Sequence, residues 1–187
     1  AEVAPEGFDA RRSALSRRYR YAVWNSPVPN PLIASWSWQV ADSLDLRSLR
    51  AGADTLVGEH DFAAFCRRPP GQEAGRPQVR RVLGAGWKAG PGPLLAFEIE
   101  AGSFCHQMVR SLVGALVEVG RGRMTVADLV AVLRSGDRSL APSPAPAHGL
   151  CLLGVSYPGE HERTCPASSA HLSWPVAQLG LAACPAP

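Results

Sequence analysis

"FCHQMVRSLVGALVEVG", residues 104–120, decides how the chain is read. On a helical wheel at about 100° per residue, Met108, Val109, Leu112, Val113, Leu116 and Val117 gather into one broad apolar face. Gln107, Ser111 and Glu118 mark the opposite side, and Gly120 is near the end. Such a helix must bury that face on a sheet or on other helices. Arg110 falls at the border, next to Val113 and Val117, with His106 and Gly114 alongside. An arginine there can lay its stem over apolar surface and lift its head into water. It can also sit at the floor of a cleft and pair with a carboxylate or phosphate. Pattern alone favours the first. Gly114 would let another backbone or a ligand approach closely.

The segments around that helix supply the sheet. "SRRYRYAVW" (16–24) alternates, with Tyr19, Tyr21 and Val23 pointing one way and Arg18 and Arg20 the other, as in a half-buried strand. "NSPVPNPL" interrupts regular structure with three prolines. A helix follows from about Asp45 as N-cap, with Leu44 and Leu49 at staple spacing, a stripe of Leu49, Ala53, Leu56 and Val57, and Gly58 as its stop. "CRRPPGQEAGRPQ" (66–78) is a basic loop, and "VRRVLGAGW" and "LLAFEIEA" read as two strands joined by "KAGPGP". The glycines of "GAGWKAG" open no helix, so they mark a hairpin and not a phosphate loop. A third helix runs from Thr125 as N-cap to Gly136, with Met124 and Leu129 at staple spacing. "APSPAPAH" is a loop and "LCLLGVSY" (150–157) a short strand. Hairpin-joined strands with helices between them predict an α+β fold, an antiparallel or mixed sheet with helices packed on it.

Bulk properties narrow the function classes. In 187 residues, 46% are hydrophobic, enough for a core, yet no apolar run approaches the roughly 20 residues that span a bilayer. The five cysteines form no C-x-x-C pair and are odd in number. That weighs against a disulfide framework or a zinc site and for a reducing cytoplasm. Net charge is only +3, but Arg67, Arg68, Arg76, Arg80, Arg81 and Lys88 stand against the single acid Glu73, and Arg11, Arg12, Arg17, Arg18 and Arg20 form a second cluster. Such patches suit a polyanion. An arginine-rich solvated surface is the plain alternative, since Lys88 is the only lysine.

Four segments, "FDARRSALSRRYRYAVWN", "LVGEHDFAAF", "FCHQMVRSLVGALVEVGRG" and "HGLCLLGVSYP", resemble in order and spacing those of the tRNA pseudouridine synthase A family, over about residues 8–158. The resemblance implies the C-terminal half of the pseudouridine synthase fold, a ferredoxin-like half-domain. It also implies isomerisation of uridine to pseudouridine in the anticodon arm of tRNA, at positions 38 to 40, without metal or organic cofactor. Arg110 stands where that family has the arginine paired with its catalytic aspartate, and Tyr19 where it has the tyrosine that contacts the target base. Arg18, Arg20, Arg67, Arg68, Arg76, Arg80 and Arg81 would then hold RNA phosphates. The family's aspartate sits in a Gly-Arg-Thr-Asp-Ala-Gly segment that is absent from these 187 residues. Asp61, in a different matched segment, is expected to end a helix and order the following turn. The expectation is therefore a fragment: 1–7 a linker remnant, 8–158 the C-terminal domain, and 159–187 a mobile Pro/Ala-rich tail, the chain alone being inactive. The longer protein is expected to be a cytoplasmic homodimer with no membrane association. A non-catalytic RNA-binding module derived from the same family is the alternative.

Overall fold

The computed structural model describes residues 4, 6–67 and 76–158. Arg68, most of the basic loop and the expected tail lie outside the described residues. Within them no helix is long and apolar enough to cross a membrane.

The alternation at "SRRYRYAVW" forms β1 (Ser16–Asn25), the middle of the sheet, with Tyr21 and Val23 fully buried. One edge of β1 pairs antiparallel with β5 (Leu94–Ala101). Its other edge is shared: β6 (Leu150–Ser156) runs antiparallel along 16–21, and β2 (Trp38–Val40) runs parallel along 23–25. β4 (Val79–Ala89) joins β5 through the glycine–proline turn, and β3 (Gly58–Asp61) pairs with β4. The result is a six-stranded mixed sheet, ordered β2-β1-β5-β4-β3 with β6 also on β1. Together with three helices it is the expected α+β architecture. β2 and β3 were not expected. Gly58 opens β3 at φ 113° instead of stopping the preceding helix, which ends at Asp54.

The helices begin where side chains satisfy free amides. Asp45 accepts from the N–H groups of Arg47 and Ser48 to cap α1 (Leu46–Asp54). Thr125 and Asp128 form a reciprocal capping box on α3 (Val126–Ser135), which ends on Gly136 at φ 64°. These bonds hold the Asp45 and Asp128 carboxyls below the ordinary aspartate range, the hydroxyls of Ser48 and Thr125 being the largest cause. Asp61 ends strand β3, not a helix, and its carboxylate does order the next turn, accepting from the N–H groups of Ala63 and Gln78.

α2 (Met108–Gly120) is enclosed on nearly every side, with only Arg110 and Glu118 partly exposed. Ser111, expected on a solvent face, is fully buried, and its hydroxyl has no hydrogen-bond partner among the described residues. The wheel assumed a whole wet side, but α1, α3, β1 and the 141–145 segment leave only Arg110 and Glu118 partly open. A Cβ on Gly120 would fall 2.8 Å from Leu49 Cδ2, and one on Gly52 of α1 would fall 2.8 Å from Leu116 Cδ2. The two helices thus meet through glycines on both sides.

The expectation against disulfides is corrected. Cys66 and Cys105 are bonded, their Cα atoms 5.6 Å apart. No spacing motif signals a pair separated by 39 residues. The β4–β5 hairpin returns the chain to its starting point, where the Arg67 N–H also donates to the His106 carbonyl at 2.9 Å. Cys151 is free and exposed. Cys165 and Cys184 lie outside the described residues.

Candidate active site

Arg110 is positioned by a glycine and a strap of backbone. Gly114 stands one helical turn after it, and a Cβ there would lie 2.2 Å from the Ser143 carbonyl oxygen. The expected close approach at Gly114 is therefore made by residues 143–145. Pressed onto α2, this strap exchanges two bonds with Arg110: the Ala145 N–H donates to the Arg110 carbonyl at 2.9 Å, and Arg110 Nε donates to the Ala145 carbonyl at 2.7 Å. Nε is committed to backbone, and no carboxylate among the described residues pairs with the terminal nitrogens of the guanidinium. A half-buried arginine with no anionic partner among the described residues, held by its neck, is arranged to receive one.

The same strap reaches Tyr21. Its hydroxyl donates to the Pro146 carbonyl at 2.6 Å, and a Cβ on Gly149 would fall 2.6 Å from Tyr21 Cζ. Burial pushes the Tyr21 phenol well above its ordinary pKa, with the Arg110 charge pulling the other way. Tyr21 thus remains a neutral donor and a brace.

Tyr19, two residues earlier on the same face of β1, differs. It is half-buried, and its ring meets Phe104 edge-on at 5.1 Å and 89°. Phe104 immediately precedes Cys105 and the turn that opens α2. Of the two tyrosines, only Tyr19 has ring surface accessible to a ligand.

The expected RNA-binding arginines divide into two sets. On the opposite face of β1, Arg20 bonds Glu98 through Nε and Nη2, at 3.1 and 2.9 Å, and Arg18 reaches Glu100 at 3.1 Å. These are cross-strand neighbours on β5, and Lys88 closes the group on Glu98 at 2.8 Å. Burial raises the Glu98 carboxyl, but Lys88 and Arg20 more than reverse this and hold it below the ordinary value. The charges of Arg18 and Arg20 are therefore largely compensated in place. Arg67, Arg76 and Arg81 are exposed. Arg80 is half-buried, donating to the Val79 carbonyl at 2.7 Å and to Gln78 Oε1 at 3.3 Å.

Sequence reasoning passed over "APSPAPAH" as a plain loop. Its role could have been suspected from Gly114, which needed a partner, but nothing local names which backbone fills that place. Gln107 and Arg138 line a cavity beside the same strap, and the sequence singled out neither for a site.

The profile of the tRNA pseudouridine synthase family matches residues 53–158. Among individual proteins, the chain is 46% identical over 160 residues to a tRNA pseudouridine synthase A of Frankia casuarinae, covering 85% of this chain and 57% of that protein. It is 41% identical over 157 residues to one from Syntrophotalea carbinolica, covering 84% of this chain and 61% of the other. It is 41% identical over 162 residues to one from Caulobacter vibrioides, covering 84% and 62%. The chain thus spans under two thirds of the length of these relatives.

Proposed function

Because the chain belongs to the tRNA pseudouridine synthase family, we propose that it supplies the arginine and the tyrosine of a site that converts uridine to pseudouridine in the anticodon arm of tRNA, at positions 38 to 40. The observation that carries this reading is Arg110, fixed by the strap with no anionic partner among the described residues. In the reaction the bond between uracil N1 and ribose C1′ breaks, the base turns, and C5 bonds C1′. The C5 proton leaves and N1 gains one, so the change is an isomerisation. A carboxylate acting on that nucleotide must be ionised and aimed. Arg110 would lower its pKa and fix its orientation. The carboxylate itself is assigned to a Gly-Arg-Thr-Asp-type segment outside these 187 residues. Tyr19 would stack on the base once it leaves the helix.

Arg67, Arg76 and Arg81, with Arg68 and Arg80 from the same stretch, would hold phosphates by shape and charge. Arg18 and Arg20 would contribute less, since Glu100 and Glu98 already engage them. A homodimer acting in the cytoplasm completes the proposal by likeness to the family.

The test is pseudouridine formation in a uridine-labelled anticodon arm. The purified chain alone should bind the RNA and form none. Adding a polypeptide that carries the aspartate segment should produce pseudouridine, and Arg110→Ala should abolish it. Product from the chain alone would refute the division of the site. Binding that never leads to product, even with the aspartate supplied, would favour the non-catalytic RNA-binding module.

A further inference from the structure

An open cavity of about 440 Å³ lies beside the strap, lined by Cys66, Arg67, Gln107, Arg138 and Pro144. Of the described residues that line it, two are arginines and none is a carboxylate. Neither Arg67 nor Arg138 makes a side-chain hydrogen bond or ion pair to another described residue. This contrasts with Arg18 and Arg20 of β1, each of which meets a glutamate. Two guanidinium groups facing one cavity repel each other unless an anion lies between them. The third polar lining residue, Gln107, is the N-cap of the 13-residue α2 and adopts a left-handed conformation at φ 65°. The positive end of the helix dipole therefore opens at the same place. The distances along the chain are short: Gln107 is one helical turn before Arg110, and Pro144 adjoins the Ala145 whose carbonyl holds that arginine.

We propose that this cavity, with Arg67 and Arg138 as its two clamps and Gln107 as a third donor, is the seat of one RNA backbone phosphate, flanking the nucleotide that Arg110 and Tyr19 receive. The proposal rests on the functional reading above. It adds two residues, Arg138 and Gln107, that composition and charge clustering left unassigned. Arg138 lies in a 3-10 turn (Arg138–Leu140), far in sequence from Arg67. The β4–β5 hairpin, the disulfide and α2 bring the two to one cavity. The planar forks of arginine suit two-sided capture of a phosphate better than a lysine point charge would.

The experiment is equilibrium binding of a tRNA anticodon arm to the full chain across a salt series. The variants are Arg67→Ala, Arg138→Ala, the double variant and Arg134→Ala, each checked for native circular dichroism. Arg134 is an exposed arginine at the end of α3, away from the cavity lining, and serves as the control. Each cavity variant should weaken binding about tenfold. The slope of log affinity against log salt should fall by about 0.7 to 1. Because both residues would hold the same phosphate, the double variant should lose much less than the product of the two single losses. Arg134→Ala should change neither quantity. Wild-type affinity and slope in Arg138→Ala would overturn the phosphate seat while leaving the functional reading in place. Fully multiplicative losses would overturn the shared phosphate. If the wild-type chain binds no tRNA at low salt, both the seat and the reading above it fall together.

Discussion

Gly114→Ala tests the argument that a glycine and a backbone strap hold Arg110. The added Cβ would lie 2.2 Å from the Ser143 carbonyl oxygen and 3.3 Å from the Ala145 nitrogen. Real Cβ contacts stay beyond 3.0 Å, so the strap must retreat by about 1 Å. The obstacle is backbone on both sides, and no rotamer change relieves it. Retreat lengthens the 2.9 and 2.7 Å bonds between Arg110 and Ala145 toward breaking. Overpacking of this kind costs about 1–3 kcal/mol, and losing the charge-assisted bond costs about 1.5–3 kcal/mol. Alanine returns about 1 kcal/mol through its better helix propensity. The expected net destabilisation is about 1.5–5 kcal/mol, no more than the low end of the roughly 5–15 kcal/mol typical of a domain, so the variant should still fold. With a urea m-value of about 2 kcal/mol/M, the midpoint should drop by about 0.8–2.5 M with m unchanged. Gly52→Ala is the comparison, because its new Cβ would meet side chains and no backbone, its one tight contact being the rotatable tip of Leu116 at 2.8 Å, with Leu129 at an ordinary 3.4 Å. That variant should remain within about 1 kcal/mol of wild type. If Gly114→Ala matches wild type or exceeds it, propensity alone governs the site and the strap is not pressed on α2.

Other expectations follow from separate features. Peptide mapping without reductant should recover Cys66 linked to Cys105; alkylation of both thiols in unreduced protein would contradict the pairing. Breaking that bond, which closes a separation of 39 residues, should lower stability by about 4 kcal/mol on the loop-entropy relation, seen as a shift of the urea midpoint with dithiothreitol. The Glu98 carboxyl is held below its ordinary value of 4.5. Its contribution is therefore complete above that pH and lost as pH falls through the lowered folded-state value. Glu98→Gln should cost about 1–2 kcal/mol at pH 7, and the difference from wild type should shrink in acid; a gap that widens toward low pH would reverse the sign of the argument. Tyr21→Phe leaves the buried end of the Pro146 carbonyl without its donor and should cost about 1–2 kcal/mol, whereas Tyr19→Phe, at a hydroxyl for which no such bond exists among the described residues, should be close to neutral in the same denaturation assay.

The parts of the fold that were legible are those whose causes are local. β1 and the β4–β5 hairpin follow from alternation and a glycine–proline turn, and α1 and α3 from Asp45 and Thr125. β2 and β3 carry too few residues to show a period; they are strands because β1 and β4 offer them free edges. Ser111 was misplaced because a wheel records which residues share a face but not how many faces the fold covers. The cysteine pair was missed because proximity came from the return of a hairpin. At the site, Arg110 and Gly114 stood out as a misplaced charge and a missing side chain, and both proved to be features of one packing arrangement. What held them was the backbone of residues 143–145, and backbone groups leave no mark in a sequence. Tyr19 and Tyr21 are equal by pattern and differ only through the position of Pro146. Arg18 and Arg20 read as a positive stripe because Glu98 and Glu100 lie far away in the chain and directly across in the sheet.

The strap does not end at Tyr21. From Gly149 it passes directly into β6, which among the described residues pairs with β1 alone and turns Leu152 and Leu153, 50% and 38% exposed, outward. Any displacement of β6 along β1, whether by heat or by a neighbour laid against its open side, must draw on the same few residues of backbone that carry the Ala145 carbonyl. The Arg110 guanidinium is thus geared to an edge strand, and the rim of the sheet has a mechanical grip on the position of that side chain.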